Sequence, residues 1–289
     1  MKYIKVIGLI ILLYIISTLD YKTILLAIIE MDPFYILLFS ISWYLFLILK
    51  IIRWHIIENH FCKPLKFKQN SWLYIETLYL SFITPARAGD VMRVWLMKKE
   101  FGIDKSNGFT AYFFDRIQDL FFMALFALYG VVFVLKIEVS KLFYIFIFAV
   151  ILLYFMKNKI AEALNEKFKI FKYLKTDTIL ELKLLAVNIA AFLLYFLQFH
   201  ILSKAFGLEI SYHFIIALLS ISAIASLIPI SVSGLGVREG IFIYLFSTIH
   251  IGKEYAVLLS LLDNIFFMAL FIIILYIFNN LFLKKNLFD

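Results

Sequence analysis

The chain has 289 residues, of which 64% are apolar, 19% aromatic and only 17% charged. A soluble protein is about half apolar, so this composition predicts that most of the chain lies in lipid and excludes a water-soluble enzyme or a disordered scaffold. The single cysteine, Cys62, excludes an internal disulfide and a cysteine-rich zinc site, and the net charge of +8 has to be judged by where the charges lie along the chain.

Six apolar runs are predicted as spanning helices because of their length and composition. They are residues 3–19, 33–52, 109–135, 142–156, 184–202 and 255–283. No small-residue cleavage site follows the first run, so we expect an uncleaved first helix. Asp32 and Pro33 form a helix-start pair before the second run. The basic and aromatic stretch 53–71, which comes after it, is predicted to lie in the headgroup layer.

Two further apolar stretches, 72–84 and 214–228, are too short to span a membrane and end at Pro85 and Pro229. A proline has no amide hydrogen and disfavours helix in the residue before it. Small residues follow each proline, and they allow a tight turn. Both stretches are therefore predicted to turn back within the membrane as re-entrant hairpins, with the two prolines as the hairpin breaks.

The lysines and arginines predict the orientation of the chain. If each hairpin returns to the side from which it enters, the inner segments carry eighteen Lys and Arg residues and the outer segments carry five. This difference satisfies the positive-inside rule. Both termini and the basic segment 157–183, which has seven lysines and four acidic residues, are then cytoplasmic. We expect a multi-pass protein of the cell membrane.

The two halves correspond at a displacement of about 145 positions. Residues 33–135 and 184–283 each contain a helix, a hairpin and a second helix, and the hairpins are 72–97 and 214–249. Because the hairpins enter from opposite sides, the repeat is inverted, which is typical of transporters whose interrupted helices meet near the midplane. The predicted fold is therefore a single all-α membrane domain, 1–289, with about six spanning helices and two opposed re-entrant hairpins.

The two hairpin breaks hold the candidate anion site. Four of the five arginines lie within or beside apolar runs, and a planar, permanently charged guanidinium suits phosphate. If the outgoing segments are helical, their first amides are unpaired and carry partial positive charge. The residues predicted to bind a lipid phosphate are Arg87, Arg93, Arg238, Gly89, Ser231, Ser233, Gly234 and Gly236.

Acidic side chains near these arginines are candidates for balancing their charge or relaying protons. Charged groups within a span are costly and are usually functional or paired. Helical spacing allows Asp90 to pair with Arg93, and Arg116 with Asp119. Three roles stay open for these side chains: counter-ion to the arginines, proton or ion relay, and purely structural ion pair. The residues of the two hairpin breaks could likewise serve only as caps of the interrupted helices. The candidates for charge balance or relay are Asp90, Asp115, Arg116, Asp119, Glu239 and Asp263.

Three motifs, in order along the chain, resemble those of a known family. They are Pro-x-Arg-x-Gly-Asp-x-x-Arg from Pro85, Asp-Arg-x-x-Asp from Asp115, and Pro-x-Ser-x-x-Gly-x-Gly-x-Arg-Glu-Gly from Pro229. Nearly the whole chain is similar to the membrane region of lysylphosphatidylglycerol synthases and of the flippase-like proteins grouped with them. Family members commonly have Gly at the position of Ala86 and Glu at that of Asp90. The matching motif positions are Arg87, Asp90, Arg93, Asp115, Arg116, Asp119, Arg238 and Glu239.

The resemblance implies a lipid-translocation module without the transferase domain of the larger synthases. We expect an integral membrane translocase that moves, or assists, an anionic phospholipid or a polyprenyl-phosphate-type lipid. It is expected to need no cofactor or metal and to contact membrane lipids, with no nucleic acid. Assembly with a second copy or with a separate lipid-modifying enzyme stays open. The alternatives are a membrane-embedded lipid-head-group transferase and a non-catalytic accessory membrane protein.

Overall fold

The computed structural model describes residues 4–84, 89–135, 141–168, 176–226, 234–263 and 267–279. Every regular element in these ranges is helical, so the predicted all-α class is confirmed for them. A π-helical turn, Gly130–Leu135, continues α6. The helices are α1 Ile4–Ser17, α2 Tyr21–Ile29, α3 Pro33–Phe61, α4 Phe67–Ile83, α5 Met92–Phe101, α6 Lys105–Tyr129, α7 Lys141–Phe168, α8 Thr178–Ala205, α9 Tyr212–Ala225, α10 Val237–Ser247, α11 Lys253–Leu261 and α12 Phe267–Phe278.

Three helices of the described ranges are long and apolar enough to cross a membrane: α3, α8 and α6 with its π-helical turn. Helices α1 and α2 make a fourth span if they form one broken helix, and they are bent by 85° to each other. The apolar part of α7, Ile147–Met156, is shorter. The predicted run 255–283 contains α11, which ends at Leu261 and is followed by π-helical residues 262–263, and α12, which begins at Phe267. A membrane protein is therefore supported, and the count of six spans stays a prediction.

Two segment boundaries differ from those expected. The headgroup position of 53–71 stays a prediction, but its first residues do not form a separate segment, because α3 continues to Phe61 and Arg53 within it is fully buried. The physical reason is that carboxylates from another helix neutralise Arg53 inside the protein. The predicted linker 157–183 is mostly helical where it is described, since α7 continues to Phe168 and α8 begins at Thr178.

Side-chain caps fix where the long helices begin. The Asp32 carboxylate accepts a hydrogen bond from the Phe34 amide at 2.9 Å, and Pro33 occupies the first turn of α3. At the start of α8, the Asp177 carboxylate accepts from the Leu180 amide at 2.6 Å. These bonds satisfy amides that have no partner within the helix. The helix-start pair predicted at Asp32 is thus present.

Helix starts in the two halves share one spacing. Helices α8, α9 and α10 each begin 145 positions after α3, α4 and α5, and the starting pairs are Pro33 and Thr178, Phe67 and Tyr212, and Met92 and Val237. The last helix of each half packs on the hairpin of the other half: α6 packs on α9, and α12 packs on α4. Helices α3 and α8 pack against each other. This exchange of packing between the halves is what a two-fold related pair of repeats requires. The inverted orientation of the repeats in a membrane stays a prediction.

A glycine on the outgoing side of each break lies against the helix that precedes the break. A Cβ atom on Gly89 would come within 2.2 Å of the Leu80 carbonyl carbon, and one on Gly234 within 2.4 Å of the Ser226 hydroxyl oxygen. Gly234 also has a φ of +82°, a backbone conformation that residues with a Cβ atom rarely adopt. The chain therefore returns closely against α4 and α9, as a hairpin does.

The replacement Gly89→Ala is expected to destabilise the protein by about 2 kcal/mol or more, because the added methyl group would overlap backbone atoms that cannot move aside independently. Thermal unfolding in detergent measures this effect. Gly240→Ala is the matched control, since a Cβ atom there meets nothing within 4 Å and Gly240 lies within α10. Equal melting temperatures for the two variants would contradict the close approach at the first break.

Candidate anion-binding site

Seven charged side chains form one buried cluster where α3, α5 and α6 meet. We call it the first cluster, and its members are Lys50, Arg53, Asp90, Arg93, Asp115, Arg116 and Asp119. Lys50 and Arg53 come from α3, and Asp115, Arg116 and Asp119 come from α6. Asp90 lies in the turn just before α5, and Arg93 lies in its first turn.

Arg53 is the most completely bonded member of the first cluster. Its Nε and Nη2 atoms lie 2.9 Å and 2.6 Å from Asp115 Oδ1, and its Nη1 atom lies 2.6 Å from Asp119 Oδ1. Nη1 also donates to Asn188 Oδ1 of α8 at 2.9 Å. The side chains of Arg53 and Asp115 have no solvent exposure. Arg53 therefore joins α3, α6 and α8, and its donors are already used by protein groups.

Arg93 is held mainly by aromatic rings rather than by carboxylates. Its guanidinium carbon lies 4.4 Å from the ring centroid of Trp54 and 4.3 Å from that of Tyr74, and its Nε donates to the Thr77 hydroxyl at 3.0 Å. The nearest carboxylate oxygens are more distant, at 3.8 Å in Asp90 and 4.0 Å in Asp115. Within the described residues, the buried Nη1 atom of Arg93 has no hydrogen-bond partner.

Arg116 is the more accessible arginine of the first cluster, with 26% of its side chain exposed. It pairs with the neighbouring Asp115, its Nη1 lies 3.2 Å from Asp90 Oδ2, and its Nη2 lies 3.4 Å from Asp119 Oδ2. Its Nε atom has no partner among the described residues. Asp90 thus lies between Arg93 and Arg116 and contacts both.

The first cluster carries an excess positive charge. Among the described residues it contains four cations and three carboxylates, which leaves one excess positive charge when all seven side chains are ionised. An unbalanced charge in a medium of low polarity is strongly unfavourable. The cluster is therefore complementary to a singly charged anion, and Arg93 and Arg116 have donor atoms available to bind one.

A second cluster, which consists of Arg238, Glu239 and Asp263, lies at the start of α10. The Arg238 guanidinium bonds Asp263 Oδ2 at 2.5 Å and lies 5.1 Å from the ring centroid of Phe242. Glu239 does not pair with Arg238. Its carboxylate accepts from the Gly236 amide at 2.6 Å and from the Ser260 hydroxyl at 2.8 Å, which makes it a helix cap. Arg238 therefore pairs with Asp263 of another helix and not with the adjacent Glu239.

The predicted phosphate contacts through glycine amides differ from the structure. The Gly89 amide donates to the Thr84 hydroxyl at 2.6 Å, and the Gly236 amide is used by the Glu239 carboxylate. Gly236 is also covered by α1, since a Cβ atom there would lie 2.1 Å from the Gly8 carbonyl oxygen. These two amides are bonded within the protein, so neither is free to bind a phosphate in this arrangement.

Several predicted site residues lie outside the described residues. They are Pro85, Arg87, Pro229, Ser231 and Ser233.

Arg93 lies in the first cluster and Arg238 lies in the second, and the aromatic rings of Phe46 and Tyr195 lie between the two clusters. Lys50 Nζ, in the first cluster, lies 5.7 Å from the Phe46 ring, whose centroid is 5.7 Å from that of Tyr195 on α8. Arg238 interacts electrostatically with Tyr195. The two clusters are therefore neighbours on either side of Phe46 and Tyr195, and Arg93 and Arg238 do not lie in one common cluster.

Sequence reasoning missed Lys50 and Arg53 as site residues, because both lie at the end of the predicted run 33–52, where basic side chains are expected at a membrane boundary. A usable signal existed in the apolar stripe of α3, where Trp43, Leu47 and Trp54 are buried at helical spacing across that boundary. The stripe predicts that the helix continues past residue 52. The partners of Arg53 on α6 could not be assigned from α3 alone.

Comparisons with known proteins were made for the whole chain. Neither the curated proteins nor the solved structures give a match. A family model described as the lysylphosphatidylglycerol synthase TM region matches residues 4–275, nearly the full length of the chain. Together with the buried arginines and acids at the motif positions, this match shows that the chain belongs to the lysylphosphatidylglycerol synthase TM-region family.

Proposed function

We propose that this protein moves, or assists the movement of, an anionic lipid head group between the two leaflets of a membrane. The observation that carries the proposal is the unbalanced positive charge of the first cluster, together with the unpartnered donors on Arg93 and Arg116. A lipid phosphate offers a matching negative charge and several acceptor oxygens. Membership of a membrane family with a lipid-related name supports the same direction.

The proposed binding step is an exchange of anions. Asp90 contacts Arg93 and Arg116, at 3.8 Å and 3.2 Å. Asp115 also contacts both, but it is bonded to Arg53 as well. A phosphate that bonds the free guanidinium atoms would take over part of this pairing, and the site would become electrically neutral. Because Asp90 can pair again after the lipid leaves, the empty site is not left with two bare arginines. This makes binding reversible, as transport requires.

The proposed transport step uses the two halves of the chain. We propose that residues 33–135 and 184–283 are inverted repeats and that 157–183 faces the cytoplasm with both termini. The equal helix spacing and the exchanged packing of α6 on α9 and of α12 on α4 support this arrangement. Rocking of one repeat against the other would then expose the clusters to each leaflet in turn.

Reconstitution tests the proposal. The purified protein is placed in phosphatidylcholine vesicles with a tracer of short-chain fluorescent phosphatidylglycerol, and exchange between leaflets is followed by albumin back-extraction. We expect exchange well above that of protein-free vesicles, and less for a cationic lipid that carries the same label. Absence of exchange would contradict the translocase. A new lipid species in mass spectra would instead indicate a head-group transferase.

The replacement Asp90→Asn is expected to tighten binding of soluble short-chain phosphatidylglycerol by about tenfold, because it raises the excess charge of the first cluster from one to two and removes a competing anion. Titration calorimetry in detergent measures the dissociation constant. Asp104→Asn changes the net charge equally at the exposed start of α6 and is the matched control. Weaker binding by Asp90→Asn would show that Asp90 does not compete with the lipid.

A further inference from the structure

A second polar site lies beside the first cluster, at the carboxyl-terminal end of α3. Glu58 is fully buried there. Its Oε2 atom accepts hydrogen bonds from Asn70 Nδ2 at 2.9 Å and from the Leu65 amide at 3.4 Å. Within the described residues, its Oε1 atom has no hydrogen-bond partner and no cation pairs with the carboxyl group. A bare carboxylate in such a place is strongly disfavoured by desolvation.

A short chain of contacts joins Glu58 to Arg93. The Asn70 side chain donates to Glu58 and accepts from the Trp54 indole nitrogen at 3.0 Å. The face of the Trp54 ring lies on the Arg93 guanidinium, with 4.4 Å between the ring centroid and the guanidinium carbon. Helix α3 supplies Glu58 and Trp54 one helical turn apart. The carboxyl group and the anion site therefore share one packed unit.

Other titratable groups surround this unit. On α3, His55 Nδ1 lies 2.8 Å from Asn70 Nδ2, so His55 and Glu58 share this amide group, and the His55 ring is only half-buried. Cys62, which follows α3, interacts electrostatically with Glu58 and with Asp104 at the start of α6. Arg93 on α5 is the charged group reached through Trp54. His55 is thus the group whose titration has to be separated from that of Glu58.

We propose that Glu58 is a proton-binding site coupled to occupation of the first cluster. This inference rests on the proposed function. The excess positive charge of the empty cluster favours the ionised carboxylate, and a bound lipid anion cancels that charge. Binding of the lipid then favours the protonated acid, and by reciprocity a proton on Glu58 favours binding of the lipid. Lipid and proton therefore bind together.

The test is the pH dependence of exchange in the vesicles described above, from about pH 5.5 to about pH 8.5. The phosphodiester of the labelled phosphatidylglycerol keeps one negative charge throughout this range. We expect the wild-type protein to exchange lipid about fivefold faster or more at the acidic end. Glu58→Gln, which holds the neutral form, is expected to retain the fast rate at every pH.

Two further variants separate Glu58 from other groups. His55→Gln is expected to leave the pH dependence in place, and Glu209→Gln removes an exposed carboxyl as the matched control. A pH dependence that survives Glu58→Gln, or that is lost only in His55→Gln, would overturn the inference. If Glu58→Gln does not fold, Glu58→Met, which also cannot ionise, replaces it.

Infrared difference spectra give a readout independent of transport. Adding phosphatidylglycerol to the wild-type protein is expected to increase the carbonyl band of a protonated carboxylic acid, and Glu58→Gln is expected to remove this increase. If the wild-type protein exchanges lipid at a rate that does not depend on pH, and the carboxylic acid band does not increase, the inference about Glu58 fails while the proposed function stands. If wild type exchanges no lipid at any pH, the proposed function itself fails.

Discussion

Arg93→Ala is expected to lower lipid exchange by about tenfold or more, since a charge-assisted contact with phosphate contributes about 1.5–3 kcal/mol. The guanidinium has an unpartnered Nη1 atom, and its closest carboxylate oxygen is 3.8 Å away. Its loss removes a ligand-binding donor while the bonds of Arg53 are left in place. The rate of albumin-extractable exchange in vesicles measures the effect.

Arg93 also fills the space between the rings of Trp54 and Tyr74, so the alanine variant could lose exchange through poor packing. Arg93→Met keeps most of the volume without the charge, and it should lose exchange equally. Lys98→Ala removes an exposed charge from the same helix and is the matched control. Wild-type rates in both Arg93 variants would contradict the assignment of Arg93 to lipid binding.

Arg238→Ala tests the second cluster in the same assay, and we expect a comparable loss of exchange with normal expression. Its guanidinium bonds Asp263 at 2.5 Å, so the variant leaves a buried carboxylate without its partner. The double variant Arg238→Ala with Asp263→Ala restores the charge balance but not the guanidinium. Recovery of exchange in the double variant would show that Arg238 acts only as a counter-ion.

Arg53→Met is expected to have the largest effect on stability, a loss of about 3–5 kcal/mol in the free energy of unfolding. Arg53 is fully buried and bonds Asp115, Asp119 and Asn188, and its removal leaves buried acids with too few partners. Titration of the detergent-solubilised protein with a denaturing detergent measures the change.

A double-mutant cycle separates lost pairing from lost packing. Arg53→Met with Asp115→Leu removes both partners and should recover part of the stability, because no unpaired charge is then left at that pair. Lys204→Met breaks an exposed pair with Glu209 and should change stability little. If Arg53→Met and Lys204→Met changed the free energy of unfolding equally little, the first cluster would not hold the helices together.

Much of the architecture could be predicted from local chemistry. The apolar runs of α3, α6 and α8 exceed the length of a membrane span, and a span must be helical because its backbone has no water to bond. Asp32 and Pro33 begin α3 as their side chains predict. Helix α4 ends at Ile83 and α9 ends at Ala225, shortly before Pro85 and Pro229, as expected because a proline has no amide hydrogen and disfavours helix in the residue before it.

The boundaries within apolar sequence were less predictable. The basic and aromatic composition of 53–71 predicts a separate stretch that begins at Arg53, but α3 continues to Phe61. The run 255–283 is mostly apolar on both sides of Asp263 and Asn264, yet the regular α-helix of α11 ends at Leu261 and residues 262–263 are π-helical. Hydropathy measures what each residue prefers on average, and it does not include a partner that another helix supplies.

The sequence by itself determined that this is a helical membrane protein with two proline-marked breaks and with arginines and acids placed near them. Only the tertiary structure decided which charges meet: Arg53 with Asp115, Arg238 with Asp263, and Glu239 with the backbone of its own helix start. The physical reason is that a buried ion pair depends on distances of a few ångströms between different helices. Spacing along one helix fixes which residues share a face, whereas the packing of that face on its neighbours fixes which charges are balanced and which stay free to bind a ligand.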